Sequence, residues 1–384
     1  MSNQPLSKET SHMYPATTVT STSQAKDMLE AFSNEPLVAV DTESNSLYAY
    51  QEQVCLIQFS IPGADYLFDP LTGLNASMLA DLFADPETQK VFHAAEYDVM
   101  CLKRDFGFHF VNLFDTMLTA HILGWPRVGL GNLLEENFDV HTKKRYQRYN
   151  WGKRPLDPEA LTYARLDTHY LLPLHRLQSE ALIEKGHTEE AREIFSRVAA
   201  SPAMPPTFDP EDFWSVKGAY DLNGRERAVL RALYAWRDKE ARRQDRPLFK
   251  VLHDDVLIEL VHTRPQSLKK LTSVKGLNRY HARRYGKHIL HAIKRGLQAQ
   301  PPRLPPPPPR HSEAEMDRFH VLHDWRKRTA AKRGVNSSII VSKSTLWDLA
   351  EQNPRTLEDL SRIDGLGPWR RKTYGQTILK ILEC

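Results

Sequence analysis

Asp41 and Glu43 stand two residues apart at the end of the apolar run LVAV. Side chains alternate along a strand, so both carboxylates project from one face. A third acid, Asp98, follows VFHAAEY, where a strand-like run gives way to the helical pattern DVMCLKRDF. Tyr163 and Asp167 lie four apart in LTYARLDTHYLL, and on a helix this spacing puts phenol and carboxylate on the same face. Any one of these pairs is equally an ordinary surface feature, since Asp and Glu are usually exposed. A phenol buried in a helix with its hydroxyl satisfied is likewise ordinary.

The elements that must position these residues come in three segments. Residues 35–200 alternate strand-like runs (LVAV before Asp41, then residues 54–60, 66–69 and 91–94) with helical stretches, the pattern of an α/β domain. Beyond residue 210 the strand signals stop. SPAMPPTFDP (201–210) and PPRLPPPPPR (301–310) can continue neither a helix nor a central strand. The expected division is a polar N-terminal segment 1–24, an α/β domain 25–200, Pro-rich linkers at 201–213 and 301–311, and helical domains at 214–300 and 312–384. These last two repeat each other at an offset of 89 residues, with fifteen identities in 61 ungapped positions, among them Trp236 with Trp325, Gly276 with Gly365 and Tyr285 with Tyr374. Chance gives about four.

The acids fall in order along the α/β segment: a strand-borne Asp-x-Glu, a second Asp, then a helical Tyr-x-x-x-Asp. With DTESNSLYAYQEQVCLIQFS, VFHAAEYDVMCL, LFDT at 113–116 and the stretch from NWGKRPL to YARLDTHYLLPL, the set resembles the tyrosine-bearing branch of the DEDD exonucleases, and within it the ribonuclease D family. The duplicated domain is similar to the HRDC module. The resemblance implies an RNase H-like mixed sheet flanked by helices, followed by two all-α bundles. It also implies a hydrolytic 3′–5′ exoribonuclease that releases nucleoside 5′-monophosphates and trims tRNA precursors or other structured RNA with 3′ extensions. Asp41, Glu43, Asp98 and Asp167 are then the metal ligands and Tyr163 the residue that orients the attacking water. Crowded carboxylates need cations to stay ionised, and hard oxygen donors favour two Mg²⁺, or Mn²⁺, which would clamp the scissile phosphate. The same motifs fit an exonuclease directed at DNA, or an inactive nucleic-acid-binding relative.

Charge supports a polyanionic partner. Residues 1–200 carry 17 Lys and Arg against 27 Asp and Glu, a balance of −10, whereas residues 201–384 carry 35 against 21, a balance of +14. Residues 262–310 contain twelve Lys and Arg and no acid, as a phosphate-facing surface would or a solvated basic face. The tract 143–155 interleaves six basic residues with aromatic ones, which makes Arg148 and Trp151 candidates for phosphate contact and base stacking, and His93 is a candidate substrate contact near Asp98. In each repeat a Gly-Leu turn precedes a basic helix whose N-terminal amides could bind phosphate, so Arg279, Arg283, Arg284, Arg370 and Arg371 are further candidates. The second repeat has Gly367 where the first has Asn278. Three cysteines supply neither a disulfide framework nor a zinc site, and no GxxxxGK[ST] loop supports a helicase. With no apolar run long enough for a membrane span and no signal-peptide pattern, a cytoplasmic protein without a membrane or an obligate protein partner is expected.

Overall fold

A computed structural model describes residues 16–142, 144–204, 208–306 and 310–383. Residues 1–15 of the expected N-terminal segment, and residues 205–207 and 307–309 of the two linkers, lie outside the described residues. The chain forms two compact units: one holds the residues up to 43, 54–204 and those after the second linker, and the other holds 44–53 and 205–308.

The first unit is built on a six-stranded sheet of order β1-β4-β3-β2-β5-β6, with β1 Thr17–Val19, β2 Leu37–Ser44, β3 Val54–Ile61, β4 Ala64–Phe68, β5 Gln89–Phe92 and β6 Leu113–Asp115. β3 and β4 pair antiparallel, while β1 with β4, β2 with β5 and β5 with β6 pair parallel. The sheet is therefore mixed. β1 falls in the segment expected to be merely polar; TTV is too short to declare itself, and its parallel register on Tyr66–Phe68 makes it a strand. All eight residues of β3 are buried, because helices cover both faces. Helices α1 Thr22–Phe32, α2 Ala80–Ala84, α3 Glu96–Phe106, α4 Thr116–Leu123, α5 Leu130–Phe138, α7 Leu171–Glu184 and α8 Thr188–Ala199 contribute to a single core around Val40, Phe59, Phe92 and Leu102. A smaller core joins Cys55, Leu56 and Leu67 to Tyr146, Trp151 and to Ala160 and Ala164 of α6 Pro158–His169.

α6 is held to the sheet by a buried polar cluster. Asp65, 5% exposed, accepts from Arg165 Nε at 2.5 Å and from Ser60 Oγ at 2.7 Å, with His169 Nδ1 at 2.9 Å. His169 is thus engaged with the sheet rather than with any ligand.

The helical repeat reads as the sequence suggests. The first copy comprises α9 Gly224–Gln244, α10 Leu248–Val251, α11 Asp254–Thr263, α12 Leu268–Leu271 and α13 Arg279–Gln298. The second comprises α14 Glu313–Arg333, α15 Ser337–Ile340, α16 Lys343–Gln352 and α17 Pro368–Glu383. The starts of α14, α15, α16 and α17 each fall 89 residues after those of α9, α10, α11 and α13. Each copy encloses its own core, around Leu233, Leu257 and Ile289 in one and Leu322, Leu346 and Ile378 in the other. The first copy's unit also takes in the loop between β2 and β3: Tyr50 donates to Asp238 Oδ1 at 2.5 Å, its backbone N–H donates to Asp245, and Arg242 lies over its ring. The second copy is compact with the sheet, and Ile339 joins the sheet's core. No helix among the described residues is long and apolar enough to cross a membrane.

Candidate active site

β2 lies in the interior of the sheet, and Asp41 and Glu43 project from one of its faces near its C-terminal end. Asp98 enters from the first turn of α3, where it is 7% exposed, and Asp167 from the last turns of α6, one helical turn beyond Tyr163. The structure thus brings together all five residues that the sequence singles out. Asp41, Glu43, Tyr163 and Asp167, with His93, line an open cavity of about 710 Å³. A larger cavity of about 840 Å³ beside β6, α7 and α8 has no acidic residue in its wall.

The electrostatics of this cluster are those of like charges short of water. Burial pushes the Asp41 carboxyl well above the usual carboxylate range, and Asp98, Asp167 and Glu43 push it further. Glu43 is raised by burial and by Asp167 and Asp98. Asp98 and Asp167 each rise to about 7, mainly through burial. Both are held back from rising more by a hydroxyl that donates to them, Thr42 Oγ1 to Asp98 and Tyr163 to Asp167. Burial and the surrounding carboxylates in turn raise Tyr163, so its phenol stays protonated at neutral pH. His93, pushed down to about 4 by burial and by His121, is neutral and bonds Thr116 Oγ1 through Nδ1 at 2.9 Å.

Four oxygen-only carboxylates with mutually raised pKa values are a donor set suited to hard divalent cations, so the residues fit such ions. Among the described residues no three Asp, Glu, His or Cys side chains close on a common point. Thr42 and Tyr163 instead hold two of the four carboxylates.

One residue that shapes the site was only part of a quoted motif in the sequence. Asp115, at the end of β6 and 1% exposed, accepts from the backbone N–H groups of Ala94 at 3.2 Å, Ala95 at 2.8 Å, Met117 at 2.8 Å and Leu118 at 2.9 Å. It caps α4 and fixes the turn that delivers Asp98, a turn in which Ala94 adopts a positive φ of 63°. The cavity wall also includes Arg127, Asn132 and Gln147, for which the sequence offers no spacing signal.

The expected nucleic-acid contacts divide. Trp151 is 2% exposed and packs with Tyr149 and Tyr163 beneath the sheet, so it cannot stack on a base; its aromatic neighbours are its core partners, not companions on a surface. Arg148 is exposed. Arg279, Arg283 and Arg284 are exposed on α13. Arg370 is not: it is 2% exposed, with its guanidinium donating to the carbonyls of Ile339 and Ile340 and to Glu193, while Arg371, half-buried, donates to Leu366 O. A guanidinium turned into the fold looks the same in sequence as one turned to solvent.

A 3′–5′ exonuclease family model matches residues 16–181, and an HRDC domain model matches residues 226–293 and 315–382. The chain is a 3′–5′ exonuclease domain joined to two HRDC domains. A ribonuclease D from Gluconacetobacter diazotrophicus is 29% identical over 95% of this chain and 92% of its own length. The exosome complex exonuclease RRP6 of Saccharomyces cerevisiae is 31% identical over 85% of this chain, which spans 49% of that relative's length. The crystal structure of Escherichia coli RNase D superposes with a TM-score of 0.69, covers 96% of this chain and 99% of that one, and at 23% identity shows the shared fold. Over nearly its whole length the chain is similar to bacterial ribonuclease D, an exonuclease group generally dependent on divalent metal.

Asp115→Ala leaves four backbone amides without their acceptor, at an expected cost of about 1–3 kcal/mol. Because the turn that carries Asp98 loosens, exonuclease turnover should fall while KM stays near the wild-type value, a split that steady-state kinetics on the folded variant would read.

Proposed function

We propose that this protein is a metal-dependent 3′–5′ exoribonuclease that trims the 3′ ends of tRNA precursors or other structured RNA, releasing nucleoside 5′-monophosphates in the cytoplasm. The observation that carries the reading is the clustering of Asp41, Glu43, Asp98 and Asp167, with Asp41, Glu43, Asp167 and Tyr163 lining one open cavity of the exonuclease-like domain. The RNA substrate is supported by the names of the relatives, ribonuclease D and the exosome exonuclease. The E. coli relative is described as an exoribonuclease involved in structured RNA processing.

In this reading the four carboxylates would hold two Mg²⁺, or Mn²⁺, ions, which would supply charge neutralisation at the scissile phosphate and lower the pKa of the attacking water. The protein's own contribution is placement. β2 offers Asp41 and Glu43 from one rigid strand, and α3 and α6 bring Asp98 and Asp167 across from separate helices. Tyr163 bonds Asp167, and its protonated phenol can orient the attacking water without removing its proton. His93 is available as a neutral hydrogen-bonding group in the cavity wall.

Matched RNA and DNA hairpins with single-stranded 3′ extensions test the substrate class directly. RNA should be shortened from its 3′ end with nucleoside 5′-monophosphates as product; a preference for the DNA would overturn the assignment. Excess EDTA should abolish hydrolysis, and Asp41→Asn or Asp167→Asn should lower turnover by several orders of magnitude while RNA binding persists. Full activity in EDTA would contradict the metal role.

Tyr163→Phe removes one hydroxyl and nothing else. Single-turnover hydrolysis at saturating cation should slow by about a hundredfold with the fold nearly unchanged. An unchanged rate would return Tyr163 to a packing role.

A further inference from the structure

The two HRDC copies, whose helix starts recur at the 89-residue offset, differ around the turn that precedes their last helix. In the second copy Gly367 precedes α17, and a Cβ there would overlap the Glu193 side chain of α8. Glu193 instead reaches the helix: Oε2 accepts from the backbone N–H of Trp369 at 2.7 Å and of Arg370 at 3.4 Å, and Oε1 accepts from Arg370 Nη1 at 2.7 Å. The amide turn that the sequence offers as a phosphate site is thus filled by a carboxylate of the same chain. One turn away on α8, Glu190, fully buried, forms a two-bond pair with Arg333 at 2.7 and 2.8 Å, and Arg333 also donates to Tyr374 Oη at 3.0 Å.

In the first copy the positions of Gly367, Arg370 and Arg333 carry different residues. Asn278 stands in place of Gly367 and caps its own helix, its side chain accepting from His281 N–H at 2.8 Å. His281 replaces Arg370, and Gln244 replaces Arg333, keeping the bond to the tyrosine hydroxyl at 3.0 Å but offering no charge to a carboxylate. What the first copy has instead is a groove of about 530 Å³ lined by Leu268, Thr272, Ala282 and the side chains of Arg279, Arg283, Arg284, Lys287 and His288, with no acid in its wall. Among the described residues Arg279, Arg283 and Lys287 have no carboxylate partner, so their charge is directed to solvent. Tyr280, 54% exposed, lies beside Arg284. At the offset of 89 these five cationic or imidazole positions become Pro368, Lys372, Thr373, Gln376 and Thr377 in the second copy, which retains one charge.

The difference is reciprocal: the copy with the docking arginines lacks most of the groove cations, and the copy with the groove cations lacks the docking arginines. We infer that the duplication has divided its work, the first HRDC copy binding the RNA phosphate backbone in the Arg279–His288 groove and the second serving as an internal dock, its anion site closed by Glu193. The inference rests on the exoribonuclease reading only for the choice of RNA as the polyanion. A row of unpaired cations a helical turn apart suits successive phosphates, and an exposed tyrosine at its end suits an unpaired base.

The test uses the full chain carrying Asp41→Asn, in EDTA so that nothing is cleaved, and a fluorescent RNA hairpin with a single-stranded 3′ tail. Binding is titrated by anisotropy at several salt concentrations. Arg283→Gln with Lys287→Gln should weaken binding about tenfold and flatten the slope of log K against log salt by about 1.5, since each lost phosphate contact removes about 0.7–0.9. Arg371→Gln with Lys372→Gln, at the matching face of the second copy, should change neither. Equal losses from the two pairs, or a loss confined to the second, would overturn the division. Glu193→Gln should leave RNA affinity unchanged but speed proteolytic cleavage within residues 301–311 and lower the melting temperature; unchanged proteolysis and melting would overturn the dock. Cleavage assays on the chain with Asp41 intact keep the two readings apart. Absence of RNA hydrolysis with the binding results as stated would refute the nuclease and not the groove, and active hydrolysis with unaltered binding by Arg283→Gln/Lys287→Gln would do the reverse.

Discussion

Four carboxylates forced together away from water form the constraint around which the first unit is arranged. Left in a flexible region they would separate, because mutual repulsion and the cost of desolvation both favour movement toward solvent. Here they cannot. Asp41 and Glu43 are fixed by the register of an interior strand, Asp98 by a turn that Asp115 ties to two successive amides, and Asp167 by a helix that Asp65 holds through Arg165 and His169. The buried core on both faces of β3 and the polar cluster at α6 together hold an arrangement that is electrostatically unfavourable by itself. The hydroxyls of Thr42 and Tyr163 relieve part of that strain by donating to Asp98 and Asp167. Divalent cations would relieve the rest.

The helical copies show a second use of the same electrostatics. Glu190 and Glu193 are also desolvated carboxylates, but each meets an arginine in a hydrogen-bonded pair, and Glu193 gains two helix amides as well. Paired in this way a buried carboxylate fixes position; clustered with other carboxylates it has no opposite charge to face. The two kinds of site lie in one compact unit and differ only in what faces the acid.

Much of this was legible in the amino-acid order. The i, i+2 spacing of Asp41 and Glu43 and the i, i+4 spacing of Tyr163 and Asp167 specify a shared face whatever surrounds them, and the structure keeps both. The 89-residue repeat is likewise visible because core and turn residues recur in both copies. What the sequence conceals depends on contacts distant along the chain. β1 and β6 are three residues each and owe their conformation to pairing. Trp151 reads as a surface aromatic among lysines and arginines but is buried because β3 and α6 close over it. Arg370 reads as one more cation in a basic helix, but Glu193, 177 residues earlier, and the carbonyls of Ile339 and Ile340 turn it inward. Gly367 carries that signal in retrospect, since its missing side chain makes the space that Glu193 fills.

The central claim is that the cluster opposes folding until cations neutralise it, and melting temperature reads this most directly. Wild-type protein and the Asp41→Asn variant would be melted at about pH 8, where the carboxylates are driven toward ionisation, first in EDTA and then in excess Mg²⁺. The account predicts that without divalent ions the variant melts at the higher temperature, because one buried charge has been removed, and that Mg²⁺ stabilises the wild type more and reverses the order. A variant that melts lower in EDTA, or a wild type that gains no more from Mg²⁺ than the variant does, would contradict it.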